Sequence, residues 1–313
     1  MKKFFLLSVT AIIASGTFVS CNQNEIEKIP FEGRSEVSFS SNIIKVIPPI
    51  KTRMAGNLWA ENDPIGIYML EEESTAVVED MRNIKYVSTN AGEDGIFEAD
   101  EVTIFFPDNG NKVRFMSYFP YTASITDDTY QVDVTDQTSQ SAIDLLYSFN
   151  EDAKYDKTSS EKKVILVFNH KLAKININIK AGEGLEKSDL DNIKVHFEKF
   201  NRKAEFDLIS GNLNNITDNG NIIPAEISPK QNYSASYEAI IIPELYPNTS
   251  MIVFDLNNGD SGDSDVFTWK FKNDELGEGN EYTYNVTVNR SGIIVEATIN
   301  DWIPNYPEDI EAE

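Results

Sequence analysis

Apolar residues recur at every second position along most of this chain, and this spacing constrains the fold more than any other feature of the sequence. The alternation is clear at Ile65, Ile67 and Met69, and again over residues 102–106. It is typical of strands with one buried face, because successive side chains of a strand point to opposite sides. Helical periodicity is nearly absent, and residues 141–149 hold the one pattern that could form a helical turn. The sequence therefore predicts an all-β protein.

The chain is long enough for two β-sandwiches in tandem. Residues 150–163 are rich in charged and hydroxyl side chains and favour a domain boundary near residue 157. A hydrophobic content of 41% supplies enough apolar side chains for real cores and argues against global disorder. We therefore expect an N-terminal sandwich over residues 36–157 and a C-terminal sandwich over residues 158–313.

Two local patterns carry further predictions. The apolar parity changes near Lys171, between the strand Val164–Phe168 and the apolar residues that follow, so either a bulge lies there or two strands meet. Asn219-Gly220 is a dipeptide that favours a two-residue hairpin turn. We expect that hairpin between two strands of the C-terminal half.

Cys21 is the only cysteine in the chain, and it directly follows a segment typical of export signals. Two lysines near the start precede the apolar run Phe4–Phe18 and the small residue Ser20, so residues 1–20 are interpreted as a signal peptide. A cysteine at this position is typical of bacterial lipoproteins, in which the thiol is acylated; the alternative is an ordinary signal with a chance cysteine. Acylation would attach residues 21–35, a polar tether, to a membrane and leave no thiol for a disulfide.

The formal net charge of −24 limits the partners of this protein. Phosphates would be repelled and no basic stripe is present, so nucleic acid is not an expected partner. The same acidity opposes electrostatic adhesion to anionic lipid. Membrane attachment would therefore depend on the acyl group.

One segment resembles a catalytic motif. Residues 259–262, Gly-Asp-Ser-Gly, are similar to the nucleophile segment of chymotrypsin-like proteases, but a nucleophilic serine needs a histidine base. The two histidines, His170 and His196, both lie in apolar strand patterns, and an acidic hairpin loop is the simpler interpretation. The sequence has no phosphate-binding loop, dinucleotide fingerprint or CxxC motif, so it predicts neither an enzyme nor a cofactor.

Three residue types leave binding alternatives open. The acidic loop from Asp255 to Asp265 could hold calcium or could be a solvated turn. The two histidines are interpreted as hydrogen-bonded structural residues rather than as a metal pair. Trp59, Trp269 and Trp302 could stack on sugars, although core packing fits their apolar neighbours better.

Several segments together resemble one family, the fimbrillin-like lipoproteins, which are precursors of protease-processed pilins on Gram-negative anaerobes. The order and spacing of these segments carry the resemblance from the signal to Trp302. The segments are Lys51–Arg53, Trp59–Tyr68, Phe115–Tyr121, Leu166–Ile175, Ile240–Pro243, Tyr282–Val288 and Ile299–Trp302.

The resemblance implies two transthyretin-like β-sandwiches and assembly by strand exchange. In that scheme the lipoprotein reaches the outer membrane, an Arg-specific protease removes the first strand, and another pilin subunit donates a strand to the open groove. The candidate leaving strand is Val37–Val46, which carries a set of five apolar residues. A change of parity within it predicts a kink or bulge near Ser41. The set is Val37, Phe39, Ile43, Ile44 and Val46.

The candidate cleavage lies between Arg53 and Met54. Pro48 and Pro49 prevent a continuous ladder before it, and an exposed extended loop is what a protease needs. Cutting at Arg34, a second basic site, would free no strand. The alternative is that Arg53 is simply an exposed loop residue.

A donor strand is harder to identify. The segment Ile303–Glu313 has two prolines and four acids and predicts a poor donor. Either the strand containing Ile293, Val295, Ala297 and Ile299 is the donor, or the subunit accepts a strand without donating one, as a tip, anchor or accessory protein. We expect a structural or adhesive fimbrial subunit at the cell surface. The alternative is a non-polymerising outer-membrane lipoprotein that binds a glycan or host protein.

Overall fold

The computed structural model describes residues 33–43, 58–159, 163–256 and 266–301, and nearly all regular structure in them is β-strand. The predicted all-β class is therefore confirmed. The helical turn expected in residues 141–149 is a single turn, α1 (Gln140–Ile143), followed at once by a strand. A 3-10 helix spans Lys187–Leu190. The strands are β1 (Ser38–Ile43), β2 (Pro64–Glu71), β3 (Ile84–Ser88), β4 (Asp94–Ala99), β5 (Val113–Phe119), β6 (Thr129–Asp133), β7 (Leu146–Phe149), β8 (Lys163–His170), β9 (Ala173–Ala181), β10 (Lys194–Asp207), β11 (Asn212–Ile222), β12 (Ala225–Ile227), β13 (Ala235–Ile241), β14 (Glu244–Tyr246), β15 (Met251–Asp255), β16 (Val266–Lys270), β17 (Asp274–Leu276), β18 (Asn280–Asn289) and β19 (Gly292–Asp301).

Seven strands close into a barrel in the order β1-β4-β3-β2-β5-β7-β8. All neighbours in this barrel are antiparallel except β1 and β8, which run parallel. A closed barrel removes free sheet edges, because the first and last strands pair with each other. In this barrel the closure depends on β1, the first strand that the structure describes.

Two five-stranded sheets, built mainly from the later strands, share one core. One has the order β11-β10-β15-β16, with β6 also paired to β10, and the other has the order β12-β13-β9-β18-β19. Inward residues of both sheets, such as Phe197 of β10 and Ile177 of β9, belong to one buried cluster. Strand β19 pairs with β18 and lies at the edge of its sheet.

Strands β2 and β5 are buried on both faces and separate two cores. Ile67 and Met69 of β2 face the barrel core, whereas Tyr68 and Leu70 belong to the cluster of the later sheets. The same alternation holds along β5, where all seven residues are buried. A strand covered on both sides can carry apolar residues at successive positions, and in β5 this makes the alternation weak in the sequence.

Two local predictions have different outcomes. Two strands meet near Lys171, since β8 ends at His170 and β9 begins at Ala173. The hairpin expected at Asn219-Gly220 is wrong: both residues lie inside β11, and Gly220 pairs with Phe200. The chain instead turns over residues 208–211, where Gly211 has a φ of +70°. Gly tolerates this left-handed conformation without strain.

The strand pairing cuts across the predicted domain boundary near residue 157. β8 follows that boundary but pairs with β1 and β7, and β6 precedes it but pairs with β10. These pairings do not by themselves divide the chain into domains, so the two tandem transthyretin-like sandwiches stay a prediction. Within the described residues, no helix has the length and hydropathy needed to cross a bilayer.

Candidate functional site

The candidate leaving strand is β1, which pairs with a neighbouring strand on each of its two edges. It pairs antiparallel with β4, with Phe39 opposite Phe97, and parallel with β8 from Ser38 opposite Lys163 to Ile43 opposite Phe168. The register with β8 has no shift between these ends, so the bulge expected near Ser41 is absent from the described pairing. Removing β1 would leave two facing strands with unpaired backbone groups.

Phe39 is the main side chain that β1 places in the barrel core. It is 2% exposed and meets Tyr86 and Phe115 edge to face, with ring centroids 5.1 Å apart in both pairs. Tyr86 is fixed in turn, because its hydroxyl oxygen accepts a hydrogen bond of 2.8 Å from the Ile104 N–H. Burial raises the pKa of Tyr86 to about 12. Aromatic pairs in this geometry are stabilising beyond the area they bury.

Ser41 lies where the barrel wall leaves little room. It is fully buried, and its Oγ stands close to Gly95 of β4: a Cβ on Gly95 would lie 2.8 Å from that Oγ and 2.7 Å from the Phe97 ring. Both distances are shorter than real Cβ contacts. A small side chain on β1 and a glycine on β4 are therefore required together at this point.

The chain before β1 is fastened to residues 104–108. The Val37 N–H donates to the Ile104 carbonyl at 3.0 Å, and the Phe106 N–H donates to the Ser35 carbonyl at 2.9 Å. Arg34 forms an ion pair with Glu79 and lies over the Phe105 ring, 5.6 Å from its centroid. Val37 itself is 1% exposed. These contacts fix where the inward positions of β1 begin.

The outer face of β1 is flanked by two exposed isoleucines. Ser40 lies directly opposite Ile96 of β4 and Ile165 of β8. These isoleucines are 53% and 49% exposed, respectively. Side chains directly opposite on neighbouring strands interact, so a serine here separates two apolar residues that an aliphatic side chain would join.

The candidate donor strand, β19, is held differently. It pairs with β18 from Asn280 opposite Asp301 to Asn289 opposite Gly292. Ile293 and Val295 are half-buried, and Ile299 is 65% exposed. Ala297 is exposed as well. A long edge strand with exposed apolar residues is a place where another chain can pair.

Several predicted site residues lie outside the described residues. They are the lipidation candidate Cys21, Ile44 and Val46 of the leaving strand, the cleavage candidates Arg53 and Met54, the loop residues 257–265 and Trp302. Of the leaving strand, the structure places Val37, Phe39 and the backbone of Ile43, and it brings the first two into one core with Phe115.

The histidines occupy separate places. His170 is buried, and its Nδ1 lies 2.9 Å from Asp144 Oδ1. His196 is half-buried with its Nε2 3.1 Å from Glu198 Oε1. Across the described part of the chain, no group of three or more His, Cys, Asp or Glu residues is arranged to hold a metal ion.

The described tryptophans pack against aromatic neighbours. Trp59 is 3% exposed and meets Phe97, Phe119 and Phe168 edge to face. Trp269 is half-buried, with its ring centroid 4.7 Å from that of Phe271. Core packing, the better-fitting interpretation from the sequence, describes Trp59, which has no face left for a sugar.

Sequence reasoning missed the residues that receive β1. Tyr86, Phe115 and Gly95 form the slot, and of these only Phe115 lies in a segment that the sequence singled out, Phe115–Tyr121. The alternation tells which side chains share a face and not which distant strand they meet. Gly95 lies inside β4, where the absence of a side chain admits Ser41.

Comparisons with known proteins agree with this architecture. A protein of Bacteroides uniformis, the proposed fimbrium subunit Fim1C, is 30% identical over 312 residues, which covers 97% of this chain and 96% of that protein. A crystal structure of a proposed cell adhesion protein from the same species has a TM-score of 0.71 at 28% identity, covering 87% of this chain and 99% of that one. A second such protein, from Bacteroides ovatus, has a TM-score of 0.67 at 22% identity, covering 88% and 99%.

The fold therefore places the chain in the same class of all-β proteins as these two solved structures. The sequence profile of the fimbrillin-like family matches residues 52–302, most of the chain. The chain belongs to the fimbrillin-like family, and the resemblance seen in the sequence is confirmed.

Proposed function

We propose that this chain is a structural or adhesive subunit of a fimbrium, exported as a lipoprotein and assembled by exchange of its first strand. Family membership supports the fimbrial role, as does the similarity to a relative named as a fimbrium subunit. The observation that carries the assembly mechanism is the position of β1. It is the first strand, it pairs on both edges, and it fills a slot in the barrel with Phe39.

Loss of β1 creates a site for a new strand. β4 and β8 would each present a row of unpaired backbone N–H and C=O groups, which is a template for β-augmentation. The slot between Tyr86 and Phe115 would lose the ring that fills it. An incoming strand from another subunit restores both the ladder and the core contact. Cleavage after Arg53 leaves β1 attached to the barrel by noncovalent contacts alone, so it can be displaced.

Export and attachment follow from the N-terminal sequence. Acylation of Cys21 would anchor the precursor in the outer membrane, and cleavage between Arg53 and Met54 would release the fimbrial subunit from that anchor. The partners are then other pilin subunits, together with the membrane before cleavage. Strand β19 is the candidate donor, because it is an edge strand with exposed apolar residues at Ala297 and Ile299.

The test is the N-terminus of the protein recovered from the cell surface, measured by mass spectrometry. Cleavage predicts a chain that begins at Met54, and Arg53→Ala should abolish that product. Arg34→Ala is the matched control, because this change removes a second arginine without touching the proposed cleavage site. A mature chain that begins at acylated Cys21 in the wild type would overturn the cleavage step.

Polymerisation of the purified protein tests the exchange step separately. Cut protein should form multimers when it is mixed with other fimbrial subunits from the cell surface, and the uncut chain should stay out of them because β1 remains covalently attached. Equal polymerisation of both forms would show that removal of β1 is not required. Failure of the cut form to assemble both alone and with other fimbrial subunits would favour the alternative, a surface lipoprotein that does not assemble.

A further inference from the structure

We propose that the groove occupied by β1 selects the incoming strand by a defined side-chain pattern. The pattern is an aliphatic residue at the Val37 position, an aromatic residue at the Phe39 position and a small residue at the Ser41 position. The proposal rests on the strand exchange proposed above and names the chemistry of the partner strand. It implies that the preferred partner is not a second copy of this chain offering β19.

The aromatic position is defined by two rings. Phe39 lies between Tyr86 and Phe115, edge to face with each. The Tyr86 hydroxyl accepts a hydrogen bond from the Ile104 N–H, and this bond holds the ring away from the space that a shorter side chain would leave. An aliphatic residue at this position therefore leaves the slot incompletely filled, and interiors lose stability when such a gap cannot collapse.

The small position is defined by Gly95 and Phe97. The Ser41 Oγ and the Phe97 ring already occupy the space above the Gly95 backbone. A side chain longer than serine would have to displace the Phe97 ring, which Trp59 holds edge to face at 5.1 Å. Since Trp59 is itself buried, the barrel has little freedom to adjust.

The outer face adds a preference that β1 itself does not meet. Ser40 lies between Ile96 and Ile165, both about half exposed. A strand with a β-branched aliphatic residue at this position would form a continuous apolar row across β4 and β8. Such a strand would bind more tightly than β1, which gives the exchange a direction.

The candidate donor of this chain does not match the pattern. The apolar residues of β19 recur at every second position, but Ile293, Val295, Ala297 and Ile299 include no aromatic residue. No residue of Gly292–Asp301 is aromatic, so in any register a non-aromatic side chain would face the slot between Tyr86 and Phe115. A subunit of different sequence, with an aromatic residue two positions before a small one, fits the groove better.

The test uses the full chain with the recognition sequence of a site-specific protease in place of residues 48–53. After cutting, labelled peptides compete with the retained β1, and binding is measured by fluorescence polarisation. The reference peptide is residues 35–43 of this chain. The others carry Phe39→Ala, Ser41→Phe or Ser40→Val, and a further peptide has the sequence of Gly292–Asp301. Because only the peptides change, folding of the acceptor is the same in every arm.

The reference peptide should bind, and Phe39→Ala should weaken binding by at least about 100-fold, from the usual cost of removing a buried ring. Ser41→Phe should weaken it by at least about tenfold, and Ser40→Val should strengthen it by up to about fivefold. The β19 peptide should bind at least about tenfold more weakly than the reference.

Two contrary outcomes are distinguishable. If the reference peptide binds and the Phe39→Ala or β19 peptide binds equally well, the groove does not select by this pattern, and strand exchange still stands. If the cut chain takes up no peptide, including its own β1 sequence, strand exchange at this groove is wrong. The proposed selection by side-chain pattern is then wrong as well.

Discussion

β1 and β19 are the two strands proposed to take part in subunit exchange, yet the fold holds them in opposite ways. β1 pairs on both edges and buries Phe39 in the barrel core, whereas β19 pairs with β18 at the edge of its sheet and leaves Ile299 65% exposed. The difference separates two requirements. An accepted strand must complete a ladder and a core, while a donated strand must be accessible before it is used.

The contrast predicts very different costs for truncating the two strands. Phe39→Ala should lower the free energy of unfolding by about 3–5 kcal/mol, because it leaves a cavity between fixed rings. Ile299→Ala on β19 should change it by less than about 0.5 kcal/mol, since the side chain is mostly in water. Urea unfolding followed by circular dichroism measures both. Equal effects would mean that β1 contributes no more to the fold than an edge strand.

Enlarging an inward position of β1 should be the next largest effect. Ser41→Leu should destabilise the protein by about 1–3 kcal/mol, because the Phe97 ring and the Gly95 backbone leave no space for the added carbons. Ser38→Leu is the matched control on the exposed face of the same strand and should be nearly neutral. The same urea experiment applies. A neutral Ser41→Leu variant would show that the barrel wall adjusts around β1.

The slot of β1 also predicts a pH dependence. Burial raises the pKa of Tyr86 to about 12 from its ordinary value of 10.0. The folded state therefore holds this proton more tightly than the unfolded state, so this contribution to stability is complete below pH 10 and is lost as the pH rises toward 12. Tyr86→Phe should make the decline in unfolding free energy between pH 10 and 12 shallower. Parallel declines in the two proteins would contradict the assignment.

The smallest expected effect is a gain in stability. Ser40→Val should stabilise the protein by up to about 1 kcal/mol, because the new side chain joins Ile96 and Ile165 across three strands. Thr298→Val, an exposed position on β19 with one paired neighbour strand, provides the comparison and should gain less. The midpoint of thermal unfolding measures the difference. A loss of stability in Ser40→Val would remove the argument that exchange is driven toward a better-fitting strand.

The sequence predicted a strand well where one face of that strand is buried and the other is exposed to solvent. β8 has a strictly alternating burial pattern and was expected as Val164–Phe168. β5 is buried at all seven positions, and its alternation in the sequence is correspondingly weak. At Asn219-Gly220 the sequence predicted a turn that does not form. The dipeptide is a strong local turn signal, yet it lies inside β11, where Gly220 pairs with Phe200. Long pairing with β10 outweighs a two-residue preference, since each ladder position adds its own contacts.

What the sequence alone determined is therefore local or compositional: the all-β class, the apolar set of β1 including Val37 and Phe39, the acidic surface and the segments that identify the family. Only the tertiary structure decided that β1 runs parallel to β8, that Tyr86 and Phe115 enclose Phe39, and that Gly95 makes room for Ser41. The physical reason is that alternation fixes which side chains share a face, whereas the partner across the core depends on pairing between strands far apart in the sequence.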